Sequence, residues 1–295
     1  ENLEAVSFLK ELNESLFGIC PEILTIAEES TAWPGVSRPL YDGGLGFGYK
    51  WDMGWMHDIL QYLSRDSVHR KHHHNELTFR GIYAFSENYV LALSHDEVVH
   101  GKGSLLAKMS GDDWQQRATL RSLFAMQYAQ PGKKMLFMGM EFGQRTEWNH
   151  EAELDWHLLD QPGHRGLLDC LQELNRLYKE LDALHSMDLE PAGVDWSGMD
   201  DSENSVICFI RKGRSGKTLV AACNLTPSPK YGYRIGVPEP GKWTERFNSD
   251  SEAYGGSGVV SREPAFSSEH PVHGKAQSIE IGLPPLGVSY WTLEE

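Results

Sequence analysis

The chain has 295 residues, room for one large domain or two ordinary ones, and 40% of them are hydrophobic, so global disorder and a collagen-like chain are excluded. Its 27 Lys and Arg against 42 Asp and Glu give a formal charge of −15, and that field repels phosphate backbones and anionic headgroups, arguing against nucleic acid and membrane partners. No apolar run approaches the roughly 20 residues that cross a bilayer, and four cysteines without C-x-x-C spacing, Cys20, Cys170, Cys208 and Cys223, point to a reducing, cytoplasmic setting.

In chain order, Val6, Leu9 and Leu12 lie at helical spacing and predict a helix near Glu4 to Asn13. A helix so close to a first residue that is not Met leads us to expect a C-terminal piece of a longer protein. After Pro21, the run Ile23 to Ala27 reads as a short buried strand, and a Gly-rich loop follows from Trp33 to Gly48. Next come a strand around Phe47 to Trp51, a helix over Trp55 to Ser64 and a strand at Tyr89 to Leu93. Helix is then predicted over Trp114 to Ala129, stopped by Pro131-Gly132, followed by a strand at Lys134 to Met138 and a helix from Leu167 to Leu184. Strands of continuous apolar character alternating with helices indicate a parallel sheet covered by helices. Beyond about residue 187 the pattern changes to short strand-like runs, such as Val206 to Ile210 and Leu219 to Ala222, so residues 188–295 read as antiparallel β structure.

Acidic residues gather at the C-terminal ends of the expected parallel strands: Glu28-Glu29 after the first, Asp96-Glu97 after the third and Glu141 after the fourth. Loops at that edge of an α/β sheet converge on one crevice. Two carboxyl groups in different environments are what glycosidic bond chemistry requires, one to protonate the leaving oxygen and one to face the developing positive charge. Glu28 and Asp96 are the natural catalytic pair. Sugar faces pack on indole rings, and of Trp33, Trp51, Trp55 and Trp148, all in or near loops at this edge, Trp51 and Trp148 are taken as substrate-binding candidates. No metal site is expected, because His72-His73-His74 are consecutive and cannot converge, and His69 adds no acid or Cys at ligand spacing. Two glycine motifs are rejected: Gly44 to Gly48 precedes its strand, and Gly216-Lys217-Thr218 lacks the leading Gly of a phosphate loop, leaving Lys212 to Gly216 as a hairpin turn.

Several long stretches resemble bacterial 1,4-α-glucan (glycogen) branching enzymes of the α-amylase superfamily. They are Thr25 to Thr31, Trp33 to Val36, Leu45 to Met56, Leu93 to Lys102, Phe137 to Gly143 and Glu147-Trp148-Asn149, joined in the β region by Asn224 to Pro227 and Leu283 to Leu286. The resemblance implies an α/β plus all-β fold: residues 1–187 as the second half of a (β/α)₈ TIM barrel, strands 5 to 8, and residues 188–295 as a C-terminal antiparallel β-sandwich. It implies action on α-1,4-glucan (glycogen, amylose) by a retaining double displacement, with no cofactor. By matching motifs, Glu28 corresponds to the general acid/base, Asp96 to the transition-state-stabilising aspartate, and His95 to a sugar-binding histidine. Sequence parity does not choose between Glu28 and Glu29; the family match does.

The family's nucleophile, an aspartate in an Arg-x-Asp motif, has no counterpart here and is expected upstream. The isolated chain is therefore expected to be inactive and to need the missing N-terminal half of the barrel. Two other readings stand beside this one: an α-amylase-type glucan hydrolase and a non-catalytic glucan-binding module.

Overall fold

The computed structural model describes residues 1–260 and 263–294. Helix α1 (Leu3–Ile19) is capped by Asn2, whose side chain accepts the Ala5 N–H at 3.0 Å. It is longer than its apolar spacing predicts. The first strand is shorter than predicted: β1 is only Ile26–Ala27, paired with Tyr49 and Lys50 of β2 (Tyr49–Trp51). Asp52 then starts α2 (Met53–Ser64) by accepting the Trp55 N–H at 2.9 Å.

Three short helices, α3 (Ser67–Arg70), α4 (Asn75–Thr78) and α5 (Arg80–Tyr83), lead to β3 (Tyr89–Leu93), which is buried along its whole length. Helix α6 (Asp113–Ala129) begins with a reciprocal capping box between Asp112 and Gln115, and β4 (Lys133–Leu136) follows after Pro131-Gly132. Helix α7 (Pro162–Glu180) starts on a proline and ends four residues earlier than predicted, giving way to a 3₁₀ turn at Asp182–Leu184. There the Asp182 carboxylate accepts the Ser215 N–H and hydroxyl, at 2.9 and 2.8 Å, which ties the chain to a distant turn.

The first four strands form one sheet in the order β1-β2-β3-β4, parallel at every pairing. Side chains paired across a parallel ladder share a face. Lys50 is level with both Ala27 and Tyr89, Leu91 with Lys134, and Leu93 with Leu136. Leu91 and Leu93 pack with Phe124, Ile59 and Leu174 in the main apolar core, so this face lies under the helices. The opposite face carries Ile26, Tyr49, Trp51, Val90, Ala92 and Met135.

The remaining strands are antiparallel. A six-stranded sheet has the order β10-β9-β12-β7-β6-β5, and a pair, β11-β8, lies apart from it. Their ranges are β5 (Val194–Asp201), β6 (Val206–Lys212), β7 (Thr218–Asn224), β8 (Lys230–Val237), β9 (Lys242–Asn248), β10 (Ala265–Phe266), β11 (Gln277–Leu283) and β12 (Gly287–Leu293). Alternation along the strands divides their side chains between two cores. Cys208, Val220, Trp243 and Trp291 pack against Ile235, Ile279 and Ile281 of the two-stranded sheet. Phe209, Ala221, Phe247 and Tyr290 turn the other way, onto Phe124 and Leu174 of the helices. The hairpin turn between β6 and β7 spans residues 213–217, one residue later than expected, because Lys212 still pairs with Thr218.

Buried guanidinium groups stitch the two kinds of sheet together. Arg121 of α6 donates to the Ser249 and Tyr254 carbonyls, Arg70 to Leu63 and Leu225, and Arg211 of β6 to Ala129 and Gly193. Arg211 also pairs with Asp188 at 2.8 Å, both side chains at most 1% exposed. Burial pushes the Asp188 carboxyl up, but Lys134, Arg211 and Lys133 outweigh it and hold the group below the usual carboxylate range.

A carboxyl whose folded pKa is depressed contributes stability that is full above its unfolded pKa and lost as pH falls through the folded value. Urea unfolding at pH 7 should therefore show Asp188→Asn less stable by about 3–5 kcal/mol, the usual cost of stranding a buried charge. Below about pH 4 the unsubstituted chain should lose stability more steeply than the variant. Parallel acid limbs would contradict this account.

Candidate active site

Register places Glu28, one residue past Ala27, on the face that carries Ile26 and Trp51, and Glu29 on the face of Ala27 and Lys50. The contacts agree. Glu29 accepts from Lys50 Nζ at 2.7 Å and from the Thr31 N–H at 2.8 Å, while Lys50 also donates to the Thr31 carbonyl at 3.0 Å. Burial pushes the Glu29 carboxyl up, but Lys50 and Thr31 overcome this and leave it below its ordinary value. A carboxylate fixed in that way is a poor proton donor near neutrality. Glu28 is exposed and has no hydrogen bond or ion pair to any described residue. The structure thus separates two glutamates that the sequence leaves equivalent.

Asp96 stands in a 3₁₀ turn, His95–Val98, directly after β3. Ser94 caps it: its Oγ accepts the Asp96 N–H at 3.2 Å, and its own N–H donates to Glu97 Oε2 at 2.5 Å. Glu97 is buried in that cap. The exposed Asp96 carboxylate instead meets the His95 ring, with Nε2 to Oδ1 at 3.2 Å. His95 in turn lies 6.0 Å from the Phe137 ring, and Phe137 meets Trp148 edge-on at 5.0 Å.

Phe137 follows the last residue of β4 directly, and both it and Trp148 also pack against the edge of the main apolar core. Glu141 lies in the turn region after β4, half-buried. His74 contacts the Met199 carbonyl at 2.8 Å, and His73 lies beside Glu76.

Sequence reasoning missed several supporting groups. Lys50 was read only as part of a strand, yet its ion pair decides which glutamate is available. Phe137 is equally hidden inside an apolar run. A cavity of about 400 Å³ lies behind the first two strands, bordered by Glu29, Lys50, Trp51, Tyr83 and Tyr89; Glu28 does not line it.

The chain is 56% identical over 98% of its length to the 1,4-alpha-glucan branching enzyme of Aromatoleum aromaticum, and 55% identical over 98% to that of Aquifex aeolicus. It belongs to the branching-enzyme family. The chain spans 46% of each of these two relatives, less than half their length.

Residues 196–294 of this family member match the family described as Alpha amylase, C-terminal all-beta domain. Among solved structures, an α-amylase from H. orenii superposes with a TM-score of 0.62 at 14% identity, covering 100% of this chain and 58% of that one. An α-amylase from Geobacillus thermoleovorans complexed with acarbose gives 0.64 at 14% identity, covering 98% of this chain and 57% of that one. At that identity the likeness is one of fold.

The unequal settings of the two glutamates predict unequal costs of neutralisation. Glu28→Gln should leave stability within about 0.5 kcal/mol, as for exposed groups without partners. Glu29→Gln should cost about 1–2 kcal/mol, because it strands a lysine whose side chain is 7% exposed. Thermal melts of the two variants check this, and equal shifts would contradict it.

Proposed function

We propose that residues 1–187 form strands 5 to 8 of a (β/α)₈ barrel and residues 188–295 its C-terminal β-sandwich, together making half of a 1,4-α-glucan branching enzyme. What supports this reading is the strand register that sets Glu28 and Trp51 on one face of a parallel sheet, together with the contacts that join His95 to Asp96 and, through Phe137, to Trp148 beyond its C-terminal edge. This arrangement occurs in a chain more than half identical to branching enzymes. The acarbose complex of a structural neighbour supports a glucan-type ligand for the fold.

In this reading an aspartate supplied from outside the chain attacks the anomeric carbon of an α-1,4-linked unit, and Glu28 gives its proton to the departing 4-oxygen. The excised chain stays attached as a glycosyl ester. Glu28, now a carboxylate, takes the proton of an acceptor 6-hydroxyl as that oxygen displaces the aspartate, leaving an α-1,6 branch and restoring both groups. Asp96 faces the positive charge that develops on the sugar, and His95, 3.2 Å from it, binds the sugar at the cleaved bond. Exposure of Glu28 fits a half-barrel, whose other half would cover it.

The outer edges support the same reading. Among the described residues, strand β1 pairs only with β2, and β4 only with β3. Beside β1 the chain exposes Leu24 at 65% and Ile26 at 46%, and along α1 it exposes Phe8 at 62% and Ile19 at 83%. Exposed apolar side chains near an open strand edge are what a partner strand and helix would cover.

The test is complementation. Incubated with amylose and then debranched by isoamylase, the chain alone should release no new short chains. Joined to the portion of the Aromatoleum aromaticum enzyme that it does not match, it should release them, and Asp96→Asn in the joined protein should abolish this. Rising reducing ends without new branches would favour the hydrolase reading. Branching by the chain alone would overturn the need for an external nucleophile.

A further inference from the structure

We infer that Glu147 is a positioning residue whose carboxylate locks the turn behind His95 and Asp96 and thereby fixes Asp96; its consequence for catalysis rests on the branching-enzyme reading. After the 3₁₀ turn the backbone runs through three left-handed residues, His100 (φ 59°), Gly101 (φ 82°) and Gly103 (φ 71°). The two glycines adopt such angles freely, but His100 does so at a cost of roughly 1–2 kcal/mol, so the turn must be held from outside. Backbone of this kind turns successive N–H groups toward one point and forms a cradle for an anion. The anion here is Glu147. Its Oε1 accepts the Gly101 N–H at 3.0 Å and its Oε2 the Gly103 N–H at 2.8 Å.

The lysine between those glycines carries the constraint back to the site. Lys102 Nζ donates to the Asp96 carbonyl at 2.8 Å, and Lys108 Nζ donates to the Lys102 carbonyl at 2.5 Å. The residue after Glu147 braces the other end of the turn, because the Trp148 N–H donates to the Val98 carbonyl at 3.0 Å. Asp96 therefore has two backbone anchors, Ser94 Oγ on its N–H and Lys102 on its carbonyl, and the second depends on where Glu147 holds Gly101 and Gly103.

All of the Glu147 side-chain hydrogen bonds go to this one turn. The two amides hold its carboxyl below the ordinary value, with burial opposing them, so the lock is charged across the neutral range. A residue that merely anchored a surface loop would leave Asp96 unaffected when lost.

Hydrogen exchange on the chain itself reads the lock, and the joined enzyme described above reads its effect. Glu147→Gln keeps one good acceptor in place of two, and exchange at Gly101 and Gly103 should rise about tenfold, the equivalent of one charge-assisted bond. Exchange across residues 95–98 should rise with it, while strands β6 and β7 keep their protection as a control for folding. Faster exchange at residues 101–103 alone, or no change at all, would overturn the proposal.

In the joined enzyme, Glu147→Gln should lower kcat between tenfold and about a hundredfold with KM within about twofold, the pattern of a misplaced catalytic group. Lys102→Met should reproduce that loss while leaving Gly101 and Gly103 protected, because it cuts only the link to Asp96. An unchanged kcat in either variant would overturn the coupling to Asp96. If the unsubstituted joined enzyme made no branches, the branching-enzyme reading would fail, and exchange at residues 95–98 would decide the lock by itself.

Discussion

Helix α6 has to satisfy two unlike neighbours, and the arrangement of the rest of the chain follows from how it does so. Twelve consecutive residues, Ala118 to Ala129, are buried, so no face of this stretch is left for water. On one side Gln127 donates to the carbonyls of Leu91 in β3 and Met135 in β4, at 2.9 and 3.1 Å. On the other side, Arg121 and Ser122 donate to carbonyls of the β region, and Ala125 accepts the Tyr290 hydroxyl. A helix buried all round is normally apolar all round. This one carries polar groups that meet backbone carbonyls of β3 and β4 on one side and of the turns beside β9 and β12 on the other.

That placement couples the antiparallel region to the candidate site without touching it. The apolar core is continuous from Leu91 and Leu93 through Phe124 and Leu174 to Phe209 and Tyr290. A shift of the six-stranded sheet would move α6 and with it strands β3 and β4, whose C-terminal ends bear His95, Asp96 and Phe137. Arginine suits the junction because its planar fork reaches several carbonyls at once and is more weakly hydrated than an ammonium. The cost of burying three guanidiniums is offset by those bonds and, for Arg211, by Asp188.

Much of this was legible in the sequence, and what was not has physical reasons. The alternation of strand and helix gave the parallel sheet, because a strand such as Tyr89 to Leu93, buried on both faces, must be apolar throughout. Pro131-Gly132 marked the end of α6 through backbone chemistry that is local, whereas the Asp112 cap that begins it shows only in the structure. The lengths of β1 and β2 were not local. They depend on which residues find ladder partners, and only Ile26 and Ala27 do so in the first strand. In the candidate site, residue chemistry nominates Glu28, Asp96, Trp51 and Trp148, and the family resemblance nominates His95. The ion pair of Lys50 and the amide contacts of Glu147 were not legible, since a charged residue type in sequence does not announce the carboxylate or amide it will meet.

Neighbouring acids in the site divide into two populations by what holds them. Glu97 is consumed by the cap of its own turn, Glu29 by Lys50, and Glu147 by two backbone amides. Each of these shapes the loops, and each is held as an acceptor by donors the protein has already arranged. Glu28 lacks such a partner, and Asp96 has only the His95 ring, which is charged solely when protonated. A group that must exchange a proton or meet a developing charge gains nothing from a tight ion pair formed in advance, because that pair stabilises the resting state as much as the reacting one. The acids that are fixed place the acids that are not, and this division of labour accounts for five carboxylates within two short loops and the segment that braces them.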